Sequence, residues 1–313
     1  MSHLSWAEAS VVGLLQGVSE LFPVSSLGHS VLIPAVIGGS WARDLDVTAP
    51  ESPYLAFIVG LHVATAAALI IYFWRDWVRI AGGLVSSIRY RRVETADERL
   101  AWLLILATIP VGIAGLALEH TFRTVLAKPN PTALFLMLNG VILFAAERFR
   151  RRPAQPAADA SPGASGGRHR GGRLAVEPRP DVDTDARLSR LPMRRGVLIG
   201  AAQIAALAPG ISRSGVTMAA GLSRGLDHED AARFSFLLAT PVILAAGVFK
   251  LPDLAGTLGN AIRGQVLVGS LLSFVGAYLS VRFLSRYFRT NSLRPFGWYC
   301  LAAGALALIL VNR

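Results

Sequence analysis

The sequence predicts an all-α polytopic membrane protein built as an inverted-topology repeat, with six spanning helices and two re-entrant helical hairpins. Three observations carry that expectation. Of the 313 residues, 53% are hydrophobic and only 16% are charged, and the mean hydropathy of +0.48 lies above that of an ordinary soluble domain. Six apolar runs are long enough, or nearly so, to cross a bilayer whose ~30 Å core needs about 20 helical residues. Two further runs are interrupted at their centres and echo each other across the chain.

Taken in order, the first run covers 6–37 and is broken at Phe22-Pro23-Val24-Ser25-Ser26. Each half is too short to cross alone, so the run reads as a re-entrant helix–turn–helix hairpin. Spans follow at 54–74, 100–118 and 132–147. The second broken run, 196–226, is interrupted at Pro209-Gly210-Ile211-Ser212-Arg213-Ser214-Gly215, and its three spans lie at 231–249, 265–285 and 294–311. Residues 1–149 and 193–313 are thus two repeats. Between them, 150–192 is dense in Pro, Gly, Ala and Arg and has no apolar periodicity, which predicts a disordered linker.

Charge placement orients the chain. Segments 75–99, 148–195, 224–233 and 282–294 hold 24 of the 31 Lys and Arg residues. By the positive-inside rule they are cytoplasmic, which puts both termini and the mouth of the first hairpin outside. Three spans follow each hairpin, so the second hairpin enters from the opposite side. A shift of 187 residues lays Gln16 on Gln203, Ser25 on Ser212 and Gly28 on Gly215, and a shift of 179 lays Phe57 on Phe236. Each match is weak alone; with the topology they indicate duplication.

The formal charge of +11 does not imply nucleic acid, because the arginines cap apolar runs rather than line one polar face. The cluster Arg148, Arg150, Arg151, Arg152 is read as a topology determinant before a lipid-headgroup site. The lone Cys300 permits no intrachain disulfide. The first Lys or Arg is Arg43, so the positive region of a cleavable signal is missing.

The chemistry concentrates in the hairpins. In "LLQGVSELFPVSSLGHSVLIP", residues 14–34, Gln16 and Glu20 share a helical face that Pro23 terminates. Ser25 or Ser26 then caps the next half-helix, on which Ser26 and His29 share a face. In the second hairpin Ser212 is the equivalent cap, followed by Arg213, Ser214 and Thr217. Two half-helix N-termini, an Arg and several hydroxyls suit the oxygens of a phosphate. Glu20 has the wrong sign for that anion, and a carboxylate there holds a divalent cation or takes a proton. A Ser or Gly at a helix break is explained as well by mere tolerance of the break. Glu20, His29 and Arg213 are not, since each ionisable group at membrane depth is costly. His62 and Asn139, within spans, read as interhelical hydrogen-bonders, and His228-Glu229-Asp230 as solvated groups at a helix end.

These residues carry a resemblance. "QGVSELFPVSSLGH" and "PGISRSGVT" are similar to the two motifs of the undecaprenyl-diphosphate phosphatase family of the bacitracin-resistance type, [E/Q]xxxE followed by PxSSxGH, and PGxSRSxxT. The resemblance implies hydrolysis of undecaprenyl diphosphate to the monophosphate, recycling the lipid carrier of peptidoglycan and other envelope polymers, with bacitracin resistance as a consequence. It implies Mg²⁺ or Ca²⁺, a ten-helix inverted-repeat fold in the bacterial plasma membrane, and a site open to the outer side. Carried onto this chain, the catalytic positions are Glu20, Ser26, His29 and Arg213. Ser25, Ser212, Arg213, Ser214 and Thr217 would bind the diphosphate, and Glu20, with Gln16 as a weaker partner, the metal. Gln16 is neutral where many relatives have Glu, and short-loop members lack the long linker. The expected partners are a polyprenyl diphosphate and the bilayer, not nucleic acid; a homodimer is compatible with the reading but not dictated by it.

The nucleophile stays open at this level. Ser26 with His29 as base, direct attack by His29, and water activated by Glu20 or His29 all satisfy the spacing. A lipid-linked or organic-anion transporter on the same inverted-repeat fold is the competing function. The unrelated membrane acid phosphatases are a weaker rival, because "SRGLDHED" at 223–230 has the wrong spacing for their second motif.

Overall fold

The computed structural model describes residues 4–45, 53–121, 125–150, 180–255 and 262–313. Every regular element among them is a helix. The first broken run forms α1 (Trp6–Ser19) and α2 (Ser26–Ile37), with a short α3 (Gly39–Asp44) behind them. Ser5 and Glu8 start α1 with a reciprocal capping box, each side chain accepting from the other's backbone N–H. Next come α4 (Pro53–Tyr72), α5 (Trp74–Tyr90), α6 (Ala96–Thr121) and α7 (Pro129–Arg148). The second broken run forms α9 (Met193–Ala201), a 3₁₀ turn (Ala202–Leu207) and α10 (Arg213–Ser223). After it run α11 (His228–Ala255), α12 (Arg263–Tyr287) and α13 (Arg294–Val311).

Among the described residues five helices are long and apolar enough to cross a membrane: Ala96–Leu118, Pro129–Arg148, His228–Gly247, Arg263–Tyr287 and Arg294–Val311. A sixth span comes from Phe57–Tyr72, if its bent continuation Trp74–Tyr90 is counted with it; the two meet at 87°. The chain is therefore a multi-pass helical membrane protein.

Helices cross where side chains are smallest. An added Cβ at Gly13 of α1 would stand 2.6 Å from the Cα of Gly269 in α12. Such small-residue seams let backbones approach and gain dispersion contact where lipid offers no hydrophobic drive. The pairings run between the halves: α1 packs on α12 and α9 on α6, α12 on α4 and α11 on α6, α13 on α2 and α7 on α10. The two broken runs are thereby brought together, α2 and α10 both packing on α7.

One expectation needs correcting. The composition of 150–192 predicts disorder, but Pro180–Ser189 is a helix, α8, packed against α6 and α11; residues 151–179 lie outside the described residues. Asp185 accepts from Arg233 at 2.7 and 3.0 Å and from Arg79 at 2.6 Å. Arg187 donates to both oxygens of Asp230, from Nη2 at 2.7 Å and from Nε at 3.0 Å, and Leu188 is fully buried. Local composition cannot register partners some 40 to 110 residues away. The same contacts correct the reading of His228-Glu229-Asp230 as solvated: Asp230 is buried by Arg187, and His228 lies 2.7 Å from Glu147.

Candidate active site

The centre is assembled where α1 ends and where α2 and α10 begin. Pro23 breaks the first run, and Ser25 takes φ +68° as the N-cap of α2. A non-glycine residue in that region is strained and persists only where surrounding contacts determine it. Here they do. Ser25 Oγ accepts from the N–H of Gly28 in its own helix and from the N–H of Gly210 in the other hairpin, both at 3.2 Å. A Cβ on Gly28 would stand 2.9 Å from the Cα of Gly210, so only glycine allows the two tips to meet. Ser212 repeats the cap on α10, accepting from Gly215 N–H at 3.1 Å.

Asn139 of α7 ties the tips together. Its Nδ2 donates to the carbonyl of Pro23 at 3.0 Å, and its Oδ1 accepts from Ser212 N–H at 3.0 Å. Ser214 Oγ and Ser212 Oγ both donate to the Phe22 carbonyl, at 3.1 and 3.4 Å. Two half-helix N-termini from separate halves of the sequence thus converge on one place, each a region of positive potential.

Glu20 stands at that place, its side chain 5% exposed. One carboxylate oxygen, Oε1, pairs with Arg213. The other, Oε2, accepts from Ser26 Oγ and from Gln16 Nε2, the latter at 2.9 Å. His62 of α4 completes the ring: its Nε2 lies 3.2 Å from Gln16 Nε2 and 3.5 Å from Glu20 Oε2. Because His62 Nδ1 sits 2.9 Å from the Ile58 carbonyl, which can only accept, that nitrogen carries the proton and Nε2 faces the carboxylate side. Arg213 and His62 retain 19% and 29% exposure, so the centre opens past them.

His29 is held differently. Nδ1 donates to the Ser25 carbonyl at 2.7 Å, which fixes the tautomer and leaves Nε2 to accept from the Tyr299 hydroxyl at 2.8 Å. The Tyr299 and His29 rings also stack, with centroids 5.7 Å apart.

The expected residues therefore divide. Gln16, Glu20, Ser26 and Arg213 form one hydrogen-bonded cluster, with His29 one helical turn beyond Ser26. Ser25 and Ser212 spend their oxygens on backbone N–H groups, Ser214 turns to Phe22, and Thr217 Oγ1 donates to the Arg213 carbonyl at 2.8 Å. In this arrangement they shape the site rather than face its centre. Ser26 is bonded to Glu20 while both His29 nitrogens are engaged elsewhere, so the shared-face pairing of Ser26 with His29 is not formed. Sequence reasoning missed His62 and Tyr299 as members of the site. Both sit in apolar spans far away in the chain, and only the polarity of His62 in such a span gave any signal.

The oxygens that could face a hard divalent cation here are those of Glu20, Ser26 and Gln16. Glu20 supplies a carboxylate and Ser26 a hydroxyl, and Gln16 Oε1 is buried with no hydrogen-bond partner among the described residues. Oxygen donors of this kind suit Mg²⁺ or Ca²⁺. Among the described residues no group of three or more His, Cys, Asp or Glu side chains could hold a metal, so a cation would rely on Glu20 and on oxygens brought by a ligand.

Apolar spans closing around a carboxylate, a guanidinium, two imidazoles and a hydroxyl define an integral-membrane protein with a buried centre built for anionic chemistry. The chain belongs to the family described as "Bacitracin resistance protein BacA", which matches residues 9–306. It is 64% identical over 308 residues to a Mycolicibacterium paratuberculosis protein named "Undecaprenyl-diphosphatase", covering 98% of each chain. It is 53% identical to "Undecaprenyl-diphosphatase 1" of Frankia casuarinae, over 99% of each. Identity to "Undecaprenyl-diphosphatase 2" of Chromobacterium violaceum is 42%, over 96% of this chain and 97% of that one.

Proposed function

We propose that this chain is a membrane phosphatase that hydrolyses undecaprenyl diphosphate to undecaprenyl phosphate and inorganic phosphate. The observation that carries the proposal is the meeting of Glu20, Ser26 and Arg213 between two half-helix N-termini. The names of its near full-length relatives agree with it.

The chemistry follows from what each group touches. Arg213 has a carboxylate partner in this arrangement, and the terminal phosphate of the substrate would take that partner's place. Glu20 is then released to accept the proton of Ser26, to which it is already bonded. Ser26 Oγ attacks the terminal phosphorus, the bond from that phosphorus to the bridging oxygen breaks, and the lipid monophosphate departs. Water then hydrolyses the phosphoserine and regenerates the hydroxyl. His29 keeps its proton on Nδ1 for the Ser25 carbonyl, so it would exchange a proton with the departing or attacking oxygen only through Nε2, after the Tyr299 hydroxyl has left it. Arg213 and the helix dipoles stabilise the charge on the transferred phosphoryl group. A bound Mg²⁺ or Ca²⁺ would be held by Glu20, with the Gln16 amide as a weaker partner, and would supply further charge neutralisation on the diphosphate.

Two features support an inverted repeat with re-entrant hairpins. The caps on Ser25 and Ser212 match at the 187-residue shift. The packing also exchanges between halves, α1 on α12 against α9 on α6. The arginine distribution supports outside termini and a site open to the outer face of a bacterial plasma membrane. Cysteine labels placed beside Met1 or Arg313 should then react with an impermeant maleimide in intact cells, and labels in 155–178 should not.

The decisive assay is phosphate release by purified protein from a long-chain polyprenyl diphosphate. Activity in detergent, lost in Ser26→Ala and Arg213→Ala, is the expected result. A transporter would release no phosphate, and rapid quenching that found no phosphate on Ser26 would move the nucleophile to water or His29.

A further inference from the structure

The helix α5 does not continue the span before it. It leaves α4 at 87°, so if α4 crosses the membrane, α5 runs along the membrane surface. Its 17 residues contain Arg75, Asp76, Arg79 and Arg89, too many charges for a second crossing. The bend occurs at Phe73, whose buried ring lies beneath the guanidinium of Arg233 at 5.2 Å.

Around its axis α5 has three distinct sides. Ile80 and Ser87 are buried against the protein, where Trp102 Nε1 donates to Ser87 Oγ at 3.0 Å and Ser86 Oγ to Glu98 at 2.9 Å. Arg79 and Asp76 turn toward α8 and its Asp185. The third side is apolar and open: Trp74, Val78, Val85 and Ile88 recur at helical spacing and are 54 to 65% exposed. Bordering this stripe, Arg75 lies 5.3 Å from the Trp74 ring, and Arg89 and Arg92 lie 5.9 and 5.7 Å from the Tyr90 ring. Aliphatic residues on one side, aromatic rings at the border and arginines reaching past them form the pattern of an interfacial helix.

We propose that α5 is an in-plane anchor that binds anionic phospholipid, its Trp74–Val78–Val85–Ile88 stripe seated at the acyl boundary and Arg75 and Arg89 holding headgroup phosphates. The occupant is lipid rather than a partner protein because the stripe is narrow and Arg75 and Arg89, at its border, have no carboxylate partner among the described residues, whereas Arg92 is paired with Glu94. The proposal is independent of which substrate the centre hydrolyses.

The test uses the full-length protein in nanodiscs of phosphatidylcholine with and without phosphatidylglycerol. Native mass spectrometry should show phosphatidylglycerol retained by the wild type. Retention should fall by about fivefold for each of Arg75→Gln and Arg89→Gln at low salt, the change expected for one basic residue at an anionic surface. Arg43→Gln, an exposed arginine on α3, should leave retention unchanged. A nitroxide on Val85→Cys should report a depth of about 5–10 Å below the headgroups. Retention that ignores both substitutions, a label in bulk water, or a label broadened by a second copy of the chain would each overturn the proposal.

Discussion

Arg213 is the cation nearest the reacting centre, and its guanidinium already holds Glu20. Replacing it with Ala leaves the charge that develops on a transferred phosphoryl group unopposed. By the scale of arginine contributions in phosphoryl transfer, kcat should fall by roughly 10³-fold or more. Lysine should rescue poorly, since a point charge cannot bridge two oxygens in plane; single-turnover rates would check both variants. Gln16 makes a second residue-level prediction. Its amide touches Glu20 at 2.9 Å while Oε1 finds no partner among the described residues. Gln16→Glu would set two carboxylates side by side, repelling each other until a divalent cation binds. The variant should therefore melt at a lower temperature than wild type in chelator, gain more stability from added Mg²⁺ or Ca²⁺, and need less of either for half-maximal rate. Equal melting shifts in both proteins would remove the metal from this position. That Glu20 and Arg213 belong together was legible from their cost at membrane depth; that they touch each other directly was not.

At the scale of elements, the centre exists because two hairpins are pinned tip to tip by a third helix. Asn139 does the pinning, satisfying a carbonyl of one break and an N–H of the other. Asn139→Leu removes both partners at once. Leaving two buried backbone groups unsatisfied costs about 1–3 kcal/mol each. Thermal unfolding in detergent should shift down accordingly, and activity should fall with it. Val141→Ala, at an exposed position two residues along the same helix, should leave the midpoint within experimental scatter. The polarity of Asn139 inside an apolar span announced an interhelical bond, but its partners lie 116 and 73 residues away and no spacing rule reaches them.

At the scale of the molecule, the junction between the halves has two parts with different demands. Deleting 156–178 leaves every ion pair described above in place, and specific activity should stay within about twofold, since loop length changes cost little. Extending the deletion to 185 removes the carboxylate that bridges Arg79 of α5 to Arg233 of α11. That variant should show reduced folded yield by fluorescence-detected size exclusion, and lower activity per folded molecule. Equal behaviour of the two deletions would show that α8 is not a clasp.

Hydropathy and the two motif strings were enough to determine a helical membrane protein, the location of five of its spans and of its two breaks, and the identity of Glu20, His29 and Arg213 as the costly groups. Those are properties of short stretches of chain: apolar run length, a proline that ends a helix, and a hydroxyl that caps the next. Tertiary structure alone decided which of these groups meet. It paired Ser26 with Glu20 rather than His29, brought in His62 and Tyr299 from distant spans, and ordered α8 through charges on α5 and α11. The physical reason is one of range. Capping, periodicity and transfer cost act within a few residues, whereas a buried ionisable group takes its state from whatever partner the packed helices place within about 3 Å.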